Sequence, residues 1–87
     1  MRIKRNKKLT DLSVGGRGIV QSAEALDVQS APLARRLLEL GFVPGAKVEV
    51  IATMWPGEDP MAIRVGGSIF ALRRHEAGLI NLAPAVL

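Results

Sequence analysis

The sequence predicts a mainly β fold, a small barrel of about five short antiparallel strands with one inserted α-helix at about residues 31–40. Short stretches of alternating polar and apolar residues, typical of half-buried strands, recur along the chain between glycine and proline clusters. Only one stretch has the apolar period of an amphipathic helix, so the strands lack the helical crossovers that a parallel sheet requires. Short antiparallel strands avoid exposed edges by curling into a barrel, and we therefore expect an SH3-like barrel.

The 87 residues are enough for one domain with one hydrophobic core. We expect this domain at residues 9–82, a basic flexible tail at residues 1–8 and a loose end at residues 83–87. Twelve Lys and Arg residues exceed eight Asp and Glu residues, and the formal net charge is +4. Five of the basic residues lie in the tail, namely Arg2, Lys4, Arg5, Lys7 and Lys8. Any attraction to nucleic acid or to an anionic membrane surface is therefore concentrated there.

The first predicted strand covers residues 17–22 and follows a short entry segment at residues 9–14. The glycines at residues 15–18 resemble a phosphate-binding loop in composition, but the Lys-Ser/Thr ending and the preceding strand of such a loop are missing. We therefore interpret these glycines as a flexible entry to the strand.

The inserted helix is predicted because Leu33, Leu37 and Leu40 recur at the spacing of one helical face. Ser30 stands at the position of an N-cap residue. Pro32 is tolerated because the first helical turn has no intrahelical N–H donors to lose. Leu37 and Leu40 are expected to fill the core.

The end of this helix is marked by Gly41, because a residue without a side chain readily takes the left-handed conformation that stops a helix. We expect Phe42 to fold back on Leu37, as it would in a Schellman motif. Pro44 and Gly45 then predict a type II turn, since proline fixes φ at the first central position and glycine accepts a positive φ at the second. The helix is expected to lead directly into a strand.

Two hairpins and a final strand account for the rest of the domain. The predicted elements are, in order, a strand at residues 47–53, a turn at 55–60, a strand at 61–65, a two-glycine turn at 66–67, a strand at 68–73, a helical turn at 75–78 and a strand at 79–82. A glycine pair can supply positive φ at both central positions of a two-residue hairpin turn.

Candidate metal ligands are confined to Glu58, Asp59 and His75. Two adjacent carboxylates suit a hard cation only when further oxygen ligands lie at a useful spacing, and the surrounding sequence supplies none. We expect Asp59 instead to cap the turn before Pro60, and His75 to open a helical turn at the surface. The sequence therefore predicts no metal site and no cofactor, beyond a weak association of divalent metal with these side chains.

Catalytic groups are also lacking. The chain has no cysteine and one histidine, and no serine has a histidine and an acid nearby in the sequence. Specific nucleic-acid binding by the barrel is not expected, because stacking on bases needs exposed aromatic rings and the chain has three, Phe42, Trp55 and Phe70. No apolar run approaches the ~18 residues of a membrane span. We expect a cytoplasmic protein that is not an enzyme.

Large apolar side chains near the predicted 55–60 turn are the residues best suited to contact a partner. Met54 and Trp55 lie at its start and Met61 follows it, and methionine and aromatic side chains are enriched in protein interfaces. The alternative is that these side chains cover one end of the barrel. We predict a partner-binding surface formed by Phe42, Met54, Trp55 and Met61.

A series of motifs spans the chain from about residue 9 to residue 82. They lie at residues 9–12 with Gly15, Gly18 and Val20, at 36–45, at 59–60, at 71–74 and at 76–77. In these motifs and their spacing the chain resembles the FeoA family, small cytosolic proteins associated with bacterial ferrous iron transport. The family usually has an apolar residue and a glycine directly before the Asp-Pro pair, whereas here Gly57 lies one position earlier and Glu58 intervenes.

The resemblance implies an SH3-like barrel and a non-enzymatic accessory that binds the cytosolic GTP-binding domain of the ferrous iron permease at the inner face of the membrane. It implies no metal ligands. The motif residues it implies to be structural are Leu37, Leu40, Gly41, Pro44, Gly45, Asp59 and Pro60. The basic tail would add attraction to an anionic membrane surface, and a homo-oligomer is compatible with the sequence.

Two alternative functions stay open from the sequence. One is a small-barrel nucleic-acid-binding module that acts through the basic tail. The other is a detached regulatory domain of a metal-dependent repressor, since the same domain occurs at the C-terminus of such repressors. The sequence has no helix-turn-helix pattern that would bind DNA specifically.

Overall fold

One antiparallel sheet organises the molecule. The structure is a computed structural model, and it describes residues 7–84. The strands are β1 (Lys7–Lys8), β2 (Arg17–Ala23), β3 (Lys47–Thr53), β4 (Met61–Val65), β5 (Ser68–Leu72) and β6 (Ile80–Leu82), and the helices are α1 (Ala31–Leu40) and α2 (Arg74–Ala77). Single turns of 3₁₀-helix lie at Leu9–Asp11 and Val28–Ser30.

The strand order is β1-β6-β2-β3-β4-β5, and every neighbouring pair is antiparallel. Strand β2 pairs with β3 through residues 17–19 and with β6 through residues 20–23, with a register shift between Val20 and Ser22. Such an irregularity bends a strand, which lets β2 serve both halves of the sheet. The predicted mainly β fold with one inserted helix is confirmed, and the predicted bounds of α1, α2 and β2 to β6 differ from the observed ones by at most one residue.

The start of α1 differs from the prediction. Ser30 is the residue before the helix, but its side chain does not cap it. The Ser30 hydroxyl oxygen instead accepts hydrogen bonds from the N–H groups of Leu26 (2.9 Å) and Asp27 (3.1 Å), and Asp27 Oδ1 accepts one from the Ser30 N–H (2.8 Å). The preceding 3₁₀ turn satisfies these groups locally, so Ser30 stabilises the loop before the helix.

The end of α1 follows the prediction. Gly41 has a φ of 118°, its N–H donates to the Leu38 carbonyl at 3.1 Å, and the Phe42 N–H donates to the Leu37 carbonyl at 3.0 Å. These are the two hydrogen bonds of a Schellman motif. Gly45 has a φ of 91°, and the Ala46 N–H donates to the Val43 carbonyl at 2.9 Å, as expected for the type II turn.

Alternate residues of the strands, one face of α1 and the segment before β2 form a single core. Its buried members are Leu9, Val20, Ala34, Leu37, Phe42, Val48, Val50, Met61, Ile63, Val65, Leu72, Ala77, Leu79, Ile80 and Leu82. Leu37 is buried as predicted, and Leu40 packs against the cluster while staying half-buried. Among the residues that the structure describes, no helix is long and apolar enough to cross a membrane.

The two ends of the described chain meet at β6. Lys7 and Lys8 form β1 opposite Leu82 and Asn81, whereas the sequence placed them in a flexible tail. The Lys8 ammonium donates to the Gly78 carbonyl (3.1 Å) and to Asn81 Oδ1 (3.2 Å), and these contacts explain its place in the sheet. The rest of the predicted tail, residues 1–6, and residues 85–87 of the predicted loose end lie outside the described residues.

Candidate functional site

The connection between β3 and β4, residues 54–60, is called the Trp55 turn below. The Trp55 side chain is 91% exposed and that of Met54 is 57% exposed. At the base of the turn, the Met54 N–H donates to the Pro60 carbonyl at 3.0 Å. Of the four residues predicted to bind a partner, the structure therefore places Met54 and Trp55 on an accessible surface.

The other two predicted contact residues, Phe42 and Met61, are fully buried, so their assignment to a partner surface is wrong. Met61 opens β4 on the same face as the buried Ile63, because side chains alternate along a strand. Phe42 is carried inward by the Schellman motif and packs on Phe70, with ring centroids 6.1 Å apart at an interplanar angle of 54°. Both side chains belong to the hydrophobic core.

The predicted metal candidates do not form a site. In residues 7–84, no group of three or more histidine, cysteine, aspartate or glutamate side chains is placed to hold a metal ion. The Asp59 carboxylate accepts a hydrogen bond from the Arg74 N–H at 3.0 Å and lies 4.0 Å from the Arg73 guanidinium. It therefore caps the start of α2, which lies 15 residues along the chain, and not the turn before Pro60. His75 is exposed on α2, as predicted.

A groove lies at the opposite end of the β3–β4 hairpin, and sequence reasoning missed it. It is an open groove of about 1090 Å³ between β2, the start of β3, the end of α1 and the β4–β5 turn. Seven of its fifteen lining residues are glycine, alanine or serine, among them Gly41, Gly45, Gly66 and Gly67. Because these side chains are small or absent, the backbone encloses space that larger residues would fill.

Charged side chains cross the mouth of this groove in one row. In the sheet register, Arg17 lies opposite Glu49, which lies opposite Arg64. Glu49 Oε2 is 3.7 Å from the Arg17 guanidinium, and Glu49 Oε1 accepts a hydrogen bond from Arg64 Nη1 at 3.2 Å. Lys47 adds a third cation to the lining. The groove therefore carries three positive groups and one negative group, and both oxygens of the negative group face a guanidinium.

Comparison with known families assigns the chain. A model of the FeoA domain family matches residues 7–84, which is nearly the whole chain. The chain belongs to the FeoA family. The family resemblance of the sequence motifs is thereby confirmed.

Solved FeoA structures support the same assignment. The FeoA of Stenotrophomonas maltophilia, described as a prokaryotic SH3 domain protein and solved with zinc, is 36% identical to this chain, with a TM-score of 0.79. The match covers 88% of this chain and 89% of that one. The FeoA of Chlorobium tepidum is 34% identical with a TM-score of 0.72, over 93% of this chain and 70% of that one. The predicted SH3-like fold is confirmed.

A more distant likeness concerns the fold alone. A manganese-dependent transcriptional repressor shares 15% identity with this FeoA-family chain at a TM-score of 0.75, over 98% of this chain and 45% of that one. At this identity the match shows shared architecture and no shared function. No curated protein matches the sequence closely enough to count as a relative.

A second pair of exposed apolar residues in this FeoA-family chain was not predicted. Leu26 and Val28, in the loop before α1, are 76% and 89% exposed. The hydrogen bonds between Asp27 and Ser30 constrain the backbone of this loop. The sequence contains the signal, two apolar residues in a polar segment, but an isolated apolar residue is common on protein surfaces and predicts nothing by itself.

Proposed function

We propose that this FeoA-family chain is a non-enzymatic cytosolic accessory of ferrous iron transport that binds the cytosolic GTP-binding part of the iron permease. The family match over residues 7–84 supports the transport role. The Stenotrophomonas maltophilia relative is discussed as a candidate activating factor for bacterial ferrous iron transport. The Clostridium thermocellum relative, 30% identical, is described as an iron(II) transport protein A.

The observation that carries the proposed contact is the exposure of Trp55. A tryptophan with 91% of its surface in water leaves a large apolar area without protein neighbours. Tryptophan is also enriched among the residues that dominate binding energy at protein interfaces. We assign Trp55, with Met54 beside it, as the centre of the permease contact.

The anchoring of the Trp55 turn also supports this contact. The hydrogen bond from Met54 to Pro60 closes its base, and the Asp59 carboxylate ties it to the start of α2. A turn held in this way loses less conformational freedom on binding, and that loss is one of the main costs of association. The exposed side chains are therefore presented on a constrained segment.

The place of action in this proposal is the cytoplasmic face of the membrane. Arg2, Lys4, Arg5 and Lys7 would attract anionic lipid by about 1 kcal/mol for each basic side chain near the surface. Lys8 would add its charge as well, since its hydrogen bonds go to two uncharged acceptors, the Gly78 carbonyl and the Asn81 amide oxygen. The proposed contact needs neither a cofactor nor a bound metal ion.

An amide NMR titration with the soluble GTP-binding domain of the cognate permease tests the proposal. We expect shifts centred on residues 53–61, and Trp55→Ala should weaken binding by at least about tenfold, since truncating a central tryptophan commonly costs 2 kcal/mol or more. Val28→Ala is the matched control, because Val28 is equally exposed in another loop. Unchanged affinity for Trp55→Ala in a folded protein would place the contact elsewhere.

A further inference from the structure

We propose that the groove between β2, β3 and the β4–β5 turn is a second docking site, which receives an extended segment of a partner protein with apolar side chains and a carboxylate. This inference does not rest on the proposed permease contact, because the two surfaces lie at opposite ends of β3. The seven residues of β3 separate them by roughly 20 Å at about 3.3 Å per residue.

The space in the groove is held open by backbone hydrogen bonds. The Gly45 N–H donates to the Val20 carbonyl and the Val20 N–H donates to the Ala46 carbonyl, both at 2.8 Å. These two bonds join the exit of α1 to β2, so the wall formed by Gly41 and Gly45 cannot fall into the groove without breaking them. A volume of about 1090 Å³ that is already formed accepts a segment at a low ordering cost.

The walls between the charged groups are apolar. Ile19 is exposed to 39%, a large fraction for an isoleucine, and Leu40 is half-buried at the end of α1. Both line the groove, so part of their apolar surface faces the open space. Burying that surface is favourable, and it requires apolar side chains on the occupant.

The charges select the polar part of the occupant. Arg17 and Arg64 each make one ion pair with Glu49, although a guanidinium has five N–H donors. The Lys47 ammonium has no ion-pair or hydrogen-bond partner among residues 7–84. The unused donors of three cations around one carboxylate favour an added negative group, and an aspartate or glutamate side chain of the occupant would supply it.

A nucleic acid fits the groove less well than a peptide. None of the lining residues is aromatic, so bases would find no ring to stack on. The open backbone around Gly66 and Gly67 instead leaves room for a chain in extended conformation. The observations therefore favour an acidic, partly apolar peptide segment.

Binding of three synthetic pentapeptides to the full chain tests the inference. The probe is acetyl-Leu-Glu-Val-Glu-Leu-amide, and its controls carry glutamine or lysine in place of both glutamates. We expect the glutamate peptide to bind about tenfold more tightly than the glutamine peptide, as one charge-assisted hydrogen bond predicts, and the lysine peptide to bind most weakly. Amide shifts should centre on Arg17, Lys47 and Ser68.

Two variants locate the site. Gly67→Phe adds a large side chain to the lining of the groove and should abolish binding. The fold should tolerate it, since a Cβ at Gly67 meets no atom within 4 Å and its φ is not in the left-handed region. Lys47→Glu should lower the affinity about tenfold, whereas Arg35→Glu, the same charge change on the exposed face of α1, should leave it unchanged.

Three outcomes would overturn the inference. Equal affinity for the glutamate and glutamine peptides would show that Arg17, Lys47 and Arg64 do not select a carboxylate. Shifts centred on the Trp55 turn place the peptide at the other surface. Shifts of groove residues that depend on the concentration of the protein alone identify a second copy of the chain as the occupant. The permease titration is scored separately, by shifts at residues 53–61.

Discussion

The two ends of the β3–β4 hairpin offer opposite kinds of surface. At one end, the Trp55 turn projects a tryptophan and a methionine into solvent. At the other end, glycine-rich backbone surrounds a groove with three cations and one carboxylate at its mouth. The first surface needs a partner with a pocket, and the second is itself a pocket. A protein with both can contact two unlike partners at once, or two unlike parts of one partner.

The origin of each surface differs as well. The apolar surface of the Trp55 turn comes mainly from one exposed side chain, that of Trp55. A single substitution therefore removes it. The groove exists because several segments that border it carry glycine, which has no side chain. It is therefore robust to the loss of any one lining side chain and sensitive to the addition of one.

The largest effect we predict separates the surface of the Trp55 turn from the core below it. Met54 and Met61 lie at the two sides of this turn, one 57% exposed and the other fully buried. Met61→Ala should lower the free energy of unfolding by about 2–5 kcal/mol, as large-to-small core substitutions do. Met54→Ala should lower it by less than about 0.5 kcal/mol. Chemical denaturation followed by circular dichroism measures both.

Similar losses for the two methionines would contradict the assignment of Met61 to the core. The same comparison sharpens the binding test. A variant that weakens permease binding without destabilising the domain, as expected for Met54→Ala, identifies a contact residue, whereas Met61→Ala can act only through the fold.

The second prediction concerns the turn that borders the groove. The sequence suggested that both glycines of the β4–β5 turn have positive φ, but only Gly66 does, at 58°. Gly66→Ala should therefore be about 1–2 kcal/mol less stable than Gly67→Ala, because a side chain in the left-handed region costs that much. Both substitutions restrict the unfolded chain equally, so the difference between their thermal midpoints reports the folded turn. Equal midpoints would contradict the assigned backbone conformation.

The smallest effect we predict concerns the anchor of the Trp55 turn. Asp59→Ala removes the acceptor of the Arg74 N–H and should lower stability by about 1 kcal/mol, the usual loss for a missing helix cap. Glu58→Ala is the matched control, since the adjacent Glu58 is exposed and makes no such contact. Comparing the denaturation midpoints of the two variants tests this prediction, and equal midpoints would contradict the capping role of Asp59. If added zinc or iron(II) stabilised the parent chain but not Asp59→Ala, the carboxylate would have a metal-binding role that its geometry does not indicate.

Most of the fold could be predicted because its signals are local. Alternation located strands β2 to β4, and the two-glycine turn located the return strand β5. The spacing of Leu33, Leu37 and Leu40 located α1, and Gly41 marked its end. The exception was β1, since pairing of Lys7 and Lys8 with β6 depends on residues more than 70 positions away. A stretch of basic residues has no local strand signal.

The site could be predicted only where one residue determines it. Trp55 was recognised as exposed because it lies in a turn cluster. The direction of Met61 follows from the alternation along β4, which places Met61 on the core face with Ile63 and Val65. The prediction failed there because it grouped Met61 with the turn and not with its strand. The groove required the register that places Arg17, Glu49 and Arg64 in one row, together with a turn from another hairpin. No sequence spacing encodes that arrangement.

The pairing of Lys7 with Leu82 has a consequence for how this domain can be combined with other proteins. Opposed residues of antiparallel strands lie about 5 Å apart at Cα, so the described chain enters and leaves the fold at nearly one point. A domain with adjacent ends can be inserted into a surface loop of a host, or reconnected as a circular permutant, without stretching either partner.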